Sequence, residues 1–280
     1  MIETLEGLLF GKAGMVLLAL ALLFSVERLF PAAAPPAAPD ARGRLLRNLA
    51  VWAATALVSL LLVAPLTLWA AGIALAWRPD WWRGWQGTLL DLLLLDCLIY
   101  WWHRANHAVP FLWRFHRVHH LDRTLDTTTA LRFHPGEVLL SAMARAGIIL
   151  LLGLPLASVI LFETLVLLAA LFHHSNLRLP PRLERPLSRI LVTPSIHWVH
   201  HRAVRRDTDS NYATLLSLWD RLFASRSPTP RSPQMAIGVE RERDLGLLQL
   251  FLLPFAARPS PPATDATGAA DQKKSSSRSM

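Results

Sequence analysis

Apolar residues in this chain fall in long, nearly unbroken stretches, not in the alternation of half-buried strands or surface helices. The first runs over 8–26 and holds a single charge, Lys12. The second, 49–77, is 29 residues long and contains Pro65. The third, 88–102, leads directly into the first histidines. After a polar interval, 138–152 and 156–172 are apolar, separated by Gly153-Leu154-Pro155. About 20 apolar residues cross a bilayer as a helix. The pattern therefore predicts an all-α integral membrane protein with four or five membrane helices and a histidine-rich helical cap. The 49–77 stretch fits one tilted, kinked span or a re-entrant hairpin. The 138–152 and 156–172 pair fits a helical hairpin turning near the far interface, or a shallow re-entrant pair. A signal peptide competes for the first run, but Glu3 and Glu6 stand where a basic segment is needed, and the run is long enough to span.

The segments between the runs sharpen this outline. Pro/Ala-rich 31–39 reads as an extended linker. Trp81, Trp82 and Trp85 form an aromatic belt at a membrane–water boundary. Arginines crowd 42–47, 104–132 and 178–206, which places these stretches, and the histidines among them, on the cytoplasmic side of a multi-pass protein. Residues 259–280 are Pro/Ala- then Ser/Lys-rich and read as a disordered tail. The expected division is 1–87 for the N-terminal membrane helices and linker, 88–225 for a catalytic domain, 226–258 for a peripheral segment, then the tail.

Composition agrees. Of 280 residues, 52% are hydrophobic and only 18% charged, against about 25% charged in soluble domains. One cysteine, Cys97, excludes a disulfide scaffold. The balance of 29 basic and 20 acidic residues gives +9. Such an excess suits nucleic acid or a positive face beside a bilayer. The arginines lie between apolar runs, which favours membrane lipids as the partner and no nucleic acid.

All 11 histidines fall between His103 and His201, about a third of the chain. They are grouped as His103-Arg-Ala-Asn-His107, His116-Arg-Val-His119-His120, His173-His174 and His197-Trp-Val-His200-His201, with His134 apart in Arg132-Phe-His134-Pro135. Positions i, i+3 and i+4 share a helix face. Three faces crowded with imidazoles would repel if charged and waste polar groups if neutral, whereas metal coordination satisfies them together. So many imidazoles exceed one coordination sphere, so two ions are the natural count. Haem needs fewer histidines and leaves the HxxHH doublets unexplained. Asp96 lies two helical turns before His103, so it either holds the N–H of that imidazole or pairs with a neighbouring arginine such as Arg104.

These residues resemble the fatty acid hydroxylase/sterol desaturase superfamily of membrane di-iron oxygenases. The resemblance is carried by Asp96, Tyr100, His103-Arg104 and His107; by Phe115-His116-Arg-Val-His119-His120; by Arg132-Phe-His134-Pro135-Gly-Glu137; and by His174-Ser-Asn176 and His197 to His201. Asp209-Ser-Asn211-Tyr212 and Trp219-Asp-Arg-Leu-Phe223 are similar to its closing motif. It covers roughly 90–224, half of the chain.

The resemblance implies a membrane stem under a cytosolic cap that holds two iron ions on His103, His107, His116, His119, His120, His174, His197, His200 and His201. It implies a lipid substrate (a sterol, fatty acyl chain or related compound), dioxygen, and hydroxylation or desaturation of an unactivated C–H bond. His134, His173, Asn176 and Asp96 are expected as outer or additional ligands. The paired histidine that the family often has beside His174 is missing: four residues before it stands Ala170, and His173 diverges by about 100° on a helix. No CxxCH and no GxGxxG after a strand is present, so electrons are expected from a separate donor protein. The competing reading is a histidine-lined metal transporter or a metal-binding protein without oxygenase activity. Transport sites usually lie at mid-membrane depth, whereas these clusters lie just past the apolar runs.

Overall fold

A computed structural model describes residues 2–34 and 41–256; the expected tail and residues 35–39 of the linker fall outside them. Among the described residues every element is helical, apart from three isolated bridges. The long helices are α1 (Ile2–Leu29), α2 (Ala41–Val58), which runs on into α3 (Ala64–Gly72), α4 (Gly84–Ala108), α6 (Pro135–Leu152) and α7 (Leu156–His174), with α5 (Pro110–His120) following α4. Four stretches are long and apolar enough to cross a membrane: Phe10–Leu29, Ala41–Gly72, Pro135–Leu152 and Leu156–His174. The fifth long helix, α4, buries two acids, Asp91 and Asp96.

The Pro65 stretch is one span. α2 passes into α3 through a π-helical turn, Ser59–Val63, ending two residues before Pro65. Proline has no N–H for the carbonyl one turn back and its ring crowds that carbonyl. A π-turn loosens the ladder there without breaking the helix.

α6 and α7 form the expected hairpin. Gly153 closes α6 with φ of 61°, a conformation costly for residues with a Cβ. A Cβ there would also come within 2.4 Å of the Leu75 carbonyl oxygen. This turn lies at the end of the bundle remote from the histidines. Beside it, buried Asp91 accepts from Arg78, from Trp82 Nε1 at 2.9 Å and from Ser158 Oγ at 2.7 Å. Deeper in the spans, Glu163 of α7 pairs with Lys12 of α1 and, at 2.9 Å, with Arg145 of α6. Charges at membrane depth are tolerated when paired in this way, and the triad adds to the packing of Val16, Ala19, Leu20 and Leu23 that holds α1 to the bundle.

The opposite end carries the cap: α5, a 3-10 turn Thr127–Leu131, and the short helices α8 (Pro181–Leu187), α9 (Pro194–His200), α10 (Arg205–Thr208), α11 (Leu218–Leu222) and α12 (Leu247–Leu252). Glu27, near the end of α1, accepts from the main-chain N–H of Thr127 at 3.0 Å and Asn176 at 2.8 Å. Arg44 of α2 donates to Asp122 at 2.7 and 2.9 Å, to Asp126 at 2.8 and 2.9 Å, and to the Thr124 carbonyl at 2.7 Å. Asn48 adds a hydrogen bond to Asp122, and Arg132 reaches Asp244. Burial alone would raise the Asp122 carboxyl, but Arg44 and Arg132 overcome it and hold the group at about 2.

Removing one partner of such a network leaves a buried charge uncompensated and costs about 3–5 kcal/mol. Arg44→Ala should therefore lower the thermal stability of the detergent-solubilised protein far more than Arg42→Ala, whose side chain is exposed. Equal melting temperatures for the two variants would show that the network does not hold the cap to the stem.

Candidate metal centre

Two groups of imidazoles meet in the cap, each with ligand atoms within 4.8 Å of one another: His103, His107, His116, His120 and His200 in one, His119, His174, His197 and His201 in the other. The two HxxHH segments are divided between them. From α5, His116 and His120 enter the five-membered group and His119 the four-membered one. From α9 and its C-cap the division is reversed: His197 and His201 join the four, and His200 the five. Side chains at i and i+4 point almost together, while i+3 leans to one side. Two helices crossing above α4 and α7 therefore build two adjacent sites from one repeated spacing.

The hydrogen bonds test whether these sites fit a metal. His103 Nδ1 lies 2.7 Å from the Tyr212 carbonyl, and His116 Nδ1 lies 2.7 Å from Glu137 Oε1. His200 Nδ1 lies 2.6 Å from the Ser210 carbonyl, and His174 Nδ1 lies 2.7 Å from the Ala170 carbonyl. A carbonyl or carboxylate only accepts, so in all four rings Nδ1 carries the proton and neutral Nε2 carries a lone pair. Yet His103 Nε2 and His116 Nε2 are 3.1 Å apart. Two lone pairs at that distance repel unless a cation lies among them. Both nitrogens of buried His107 and Nε2 of His200 also lack a hydrogen-bond partner.

Protonation does not relieve this. Burial first, and neighbouring imidazoles second, push His103, His107, His119, His120, His197 and His201 well below the usual histidine range. Burial takes His200 down to about 3, against the opposing effect of its bond to Ser210. These seven rings stay neutral, which is the metal-binding form. The residues fit a metal, and imidazole sets of this kind suit iron, copper, zinc or nickel.

The surrounding shell is built from distant stretches of chain. Asp220 accepts from the main-chain N–H of Tyr212 at 2.8 Å and of Ala213 at 3.1 Å. It thereby holds the turn whose carbonyls orient His103 and His200. Asn211 in that turn has φ of 52°, a conformation asparagine tolerates well. Asp209 Oδ1 stands 3.4 Å from His107 Nδ1 and its other oxygen pairs with Arg205.

The expected outer residues are placed differently. Asp96 neither holds His103 nor pairs with Arg104. It accepts from Trp219 Nε1 at 2.7 Å and Leu216 N–H at 3.1 Å. The Tyr212 carbonyl takes the His103 N–H instead, because the 209–220 loop closes over α4. His134 caps α6, accepting from Gly136 N–H at 2.9 Å, and its Nε2 faces the Phe251 carbonyl at 3.2 Å. It lies outside both imidazole groups. His173 is also outside them, although its ring centre is 4.0 Å from that of His197. Asn176 bonds the main chain of Ala33 rather than an imidazole. The residue without a forecast role is Glu137, on His116. Its signal lay in Arg132-Phe-His134-Pro135-Gly-Glu137, one helical turn into α6, where an acid is favoured for helix reasons alone.

The fatty acid hydroxylase family model matches residues 88–225. This stretch is a fatty acid hydroxylase domain. Among curated proteins it is 29% identical over 180 residues to an ornithine lipid hydroxylase of Rhizobium tropici, covering 64% of this chain and 54% of that protein. It is 31% identical over 151 residues to alkylglycerol monooxygenase of Homo sapiens, covering 54% and 32% of the two chains. With cholesterol 25-hydroxylase of Rattus norvegicus the figures are 27% over 197 residues, 67% and 63%. The match thus spans between a third and two thirds of these relatives. No solved structure matches.

Removing an outer carboxylate from a ligating histidine typically costs 10–100-fold in metal affinity. Glu137→Gln should lose its bound metal to a competing chelator at correspondingly lower chelator concentration, with the helical circular dichroism unchanged. Retention equal to the parent protein would deny Glu137 that role.

Proposed function

We propose that this protein is a membrane-bound non-haem di-iron oxygenase that hydroxylates or desaturates a lipid, using dioxygen and electrons from a separate donor protein. The observation that carries the reading is the pair of adjacent imidazole groups whose proton-free nitrogens face inward, at the mouth of an apolar helical stem. His103, His107, His116, His120 and His200 would hold one iron, and His119, His174, His197 and His201 the other. Iron there supplies the redox chemistry that activates dioxygen. Hydroxylation converts R–H, O₂, two electrons and two protons to R–OH and water.

The chain's own residues do the rest. Tyr212 and Ser210 carbonyls, Glu137 and the Ala170 carbonyl hold the ligand protons outward. Nine buried imidazoles exclude bulk water from the reacting region, which protects reactive species from side reactions. Phe133 stacks on His119 with ring centres 4.2 Å apart, and its carbonyl accepts from Thr55 on the membrane span at 2.7 Å. An apolar chain rising from the bilayer would meet the four-imidazole group beside this ring. The relatives named for ornithine lipid, alkylglycerol and cholesterol share a polar head joined to a long apolar body, and a substrate of that form suits a site at a membrane surface. The arginine-rich cap supports a cytoplasmic position for this surface, where reductant is available.

The test is lipid profiling of membranes from cells expressing the parent protein or His119→Ala, grown under ¹⁸O₂. A lipid carrying one ¹⁸O atom, or a new double bond, should accumulate only with the parent protein. Purified parent protein should hold about two irons, as the two ligand sets require. Identical lipid profiles together with a single bound zinc would overturn the reading.

A further inference from the structure

Electrons must reach the five-imidazole group from outside the protein, and one surface provides a route. Trp113 of α5 is half-buried. Its ring centre lies 5.0 Å from that of His107, 5.4 Å from His120 and 6.2 Å from His116. The exposed Arg205 guanidinium covers its other side, 5.5 Å from the ring centre. Arg205 in turn pairs with Asp209, whose second oxygen approaches His107. A single aromatic ring thus separates three prospective ligands from solvent.

The surrounding charge is positive. Arg117 follows Trp113 by one turn of α5, and Arg206 follows Arg205 on α10; the 240–243 segment adjoins both helices, through Arg117 to Glu242 and the Arg205 N–H to Glu240. Arg117, Arg205, Arg206, Arg241 and Arg243 stand against Asp209, Glu240 and Glu242, five positive charges to three negative. α5 also separates two environments. At about 100° per residue, Phe111 and Phe115 lie opposite Trp113 and Arg117. The phenylalanines continue into the exposed ring of Phe255, an apolar surface suited to the bilayer. Trp113 and the partly exposed Arg117 thus lie on the side of α5 away from this apolar surface, with Trp113 beside His116 and His120.

We propose that this face, centred on Trp113 and bordered by Arg205, Arg206 and Arg243, is where a small acidic one-electron carrier protein docks, and that electrons enter the five-imidazole group through Trp113. The proposal rests on the oxygenase reading. Two carrier molecules each give up one electron per turnover, and the two protons come from solvent. Complementary charge at such a border accelerates encounter and makes it salt-dependent.

A plant-type [2Fe–2S] ferredoxin, reduced by its reductase and NADPH, serves as the acidic probe, with the full chain in nanodiscs. Surface plasmon resonance should give ferredoxin binding that weakens with salt, including to metal-free protein. Arg206→Glu/Arg243→Glu should weaken it roughly tenfold or more. Product formation driven by dithionite and methyl viologen, which need no docking, should be unchanged in that variant. Trp113→Leu should keep ferredoxin binding but slow ferredoxin-driven reduction of the iron in stopped flow, with recovery in Trp113→Phe. Ferredoxin binding that is absent, or indifferent to salt and to the charge reversal, overturns the docking surface. So does a face that instead binds phosphatidylglycerol vesicles. An unchanged reduction rate in Trp113→Leu overturns the route. If dithionite yields no product even with the iron-loaded parent protein, the oxygenase reading itself fails, independently of the docking result.

Discussion

Four imidazoles in this protein have no freedom to choose their tautomer. Main-chain carbonyls of Tyr212, Ser210 and Ala170, and the carboxylate of Glu137, accept from Nδ1. The Nε2 lone pairs are thereby turned toward each other at hydrogen-bond distance with no proton between His103 and His116. Burial removes the alternative of charging His103 or His200, because an imidazolium without solvent or counter-charge is strongly disfavoured. Cations between the rings relieve this arrangement, and much of the cap can be understood as the frame that maintains it.

That frame is polar and drawn from every part of the chain. Asp220 holds the 210–213 turn, and Asp96 on α4 holds Leu216 and Trp219, which follow it. Arg44 and Asn48 at the end of a membrane span secure the Asp122–Thr129 loop that follows the second histidine cluster. Glu27 does the same for α1, binding both the Thr127 turn and Asn176 just past the third cluster. The Arg44, Asn48 and Glu27 connections each join a membrane helix to a segment flanking the histidines, so bundle packing and site geometry are one problem. The two imidazole groups differ in surroundings: the four-membered group has Phe133 and the membrane span beside it, whereas the five-membered group has Trp113 and arginines.

Some of this was legible in the residues themselves. Apolar runs of span length identify membrane helices because a bilayer demands about 20 apolar residues whatever the neighbours are. The HxxHH spacing identifies shared helix faces because helical periodicity is local. The π-turn before Pro65 was legible only as a choice between a kink and a hairpin, since proline disturbs the ladder in either case. Asp96 illustrates the limit. Its two-turn spacing from His103 placed both on one face, but the nearer acceptor for His103 came from residue 212, more than 100 positions along the chain.

The sequence by itself determined that this is a helical membrane protein with its histidines clustered past the apolar runs, because length, hydropathy and helical period act within one segment. Only the tertiary structure decided how nine histidines divide into groups of five and four, which carboxylate holds which ring, and that His134 caps α6. Those outcomes depend on where α5, α7, α9 and the 209–220 loop cross, and hydrogen bonds between segments distant in sequence leave no periodic trace in any one of them.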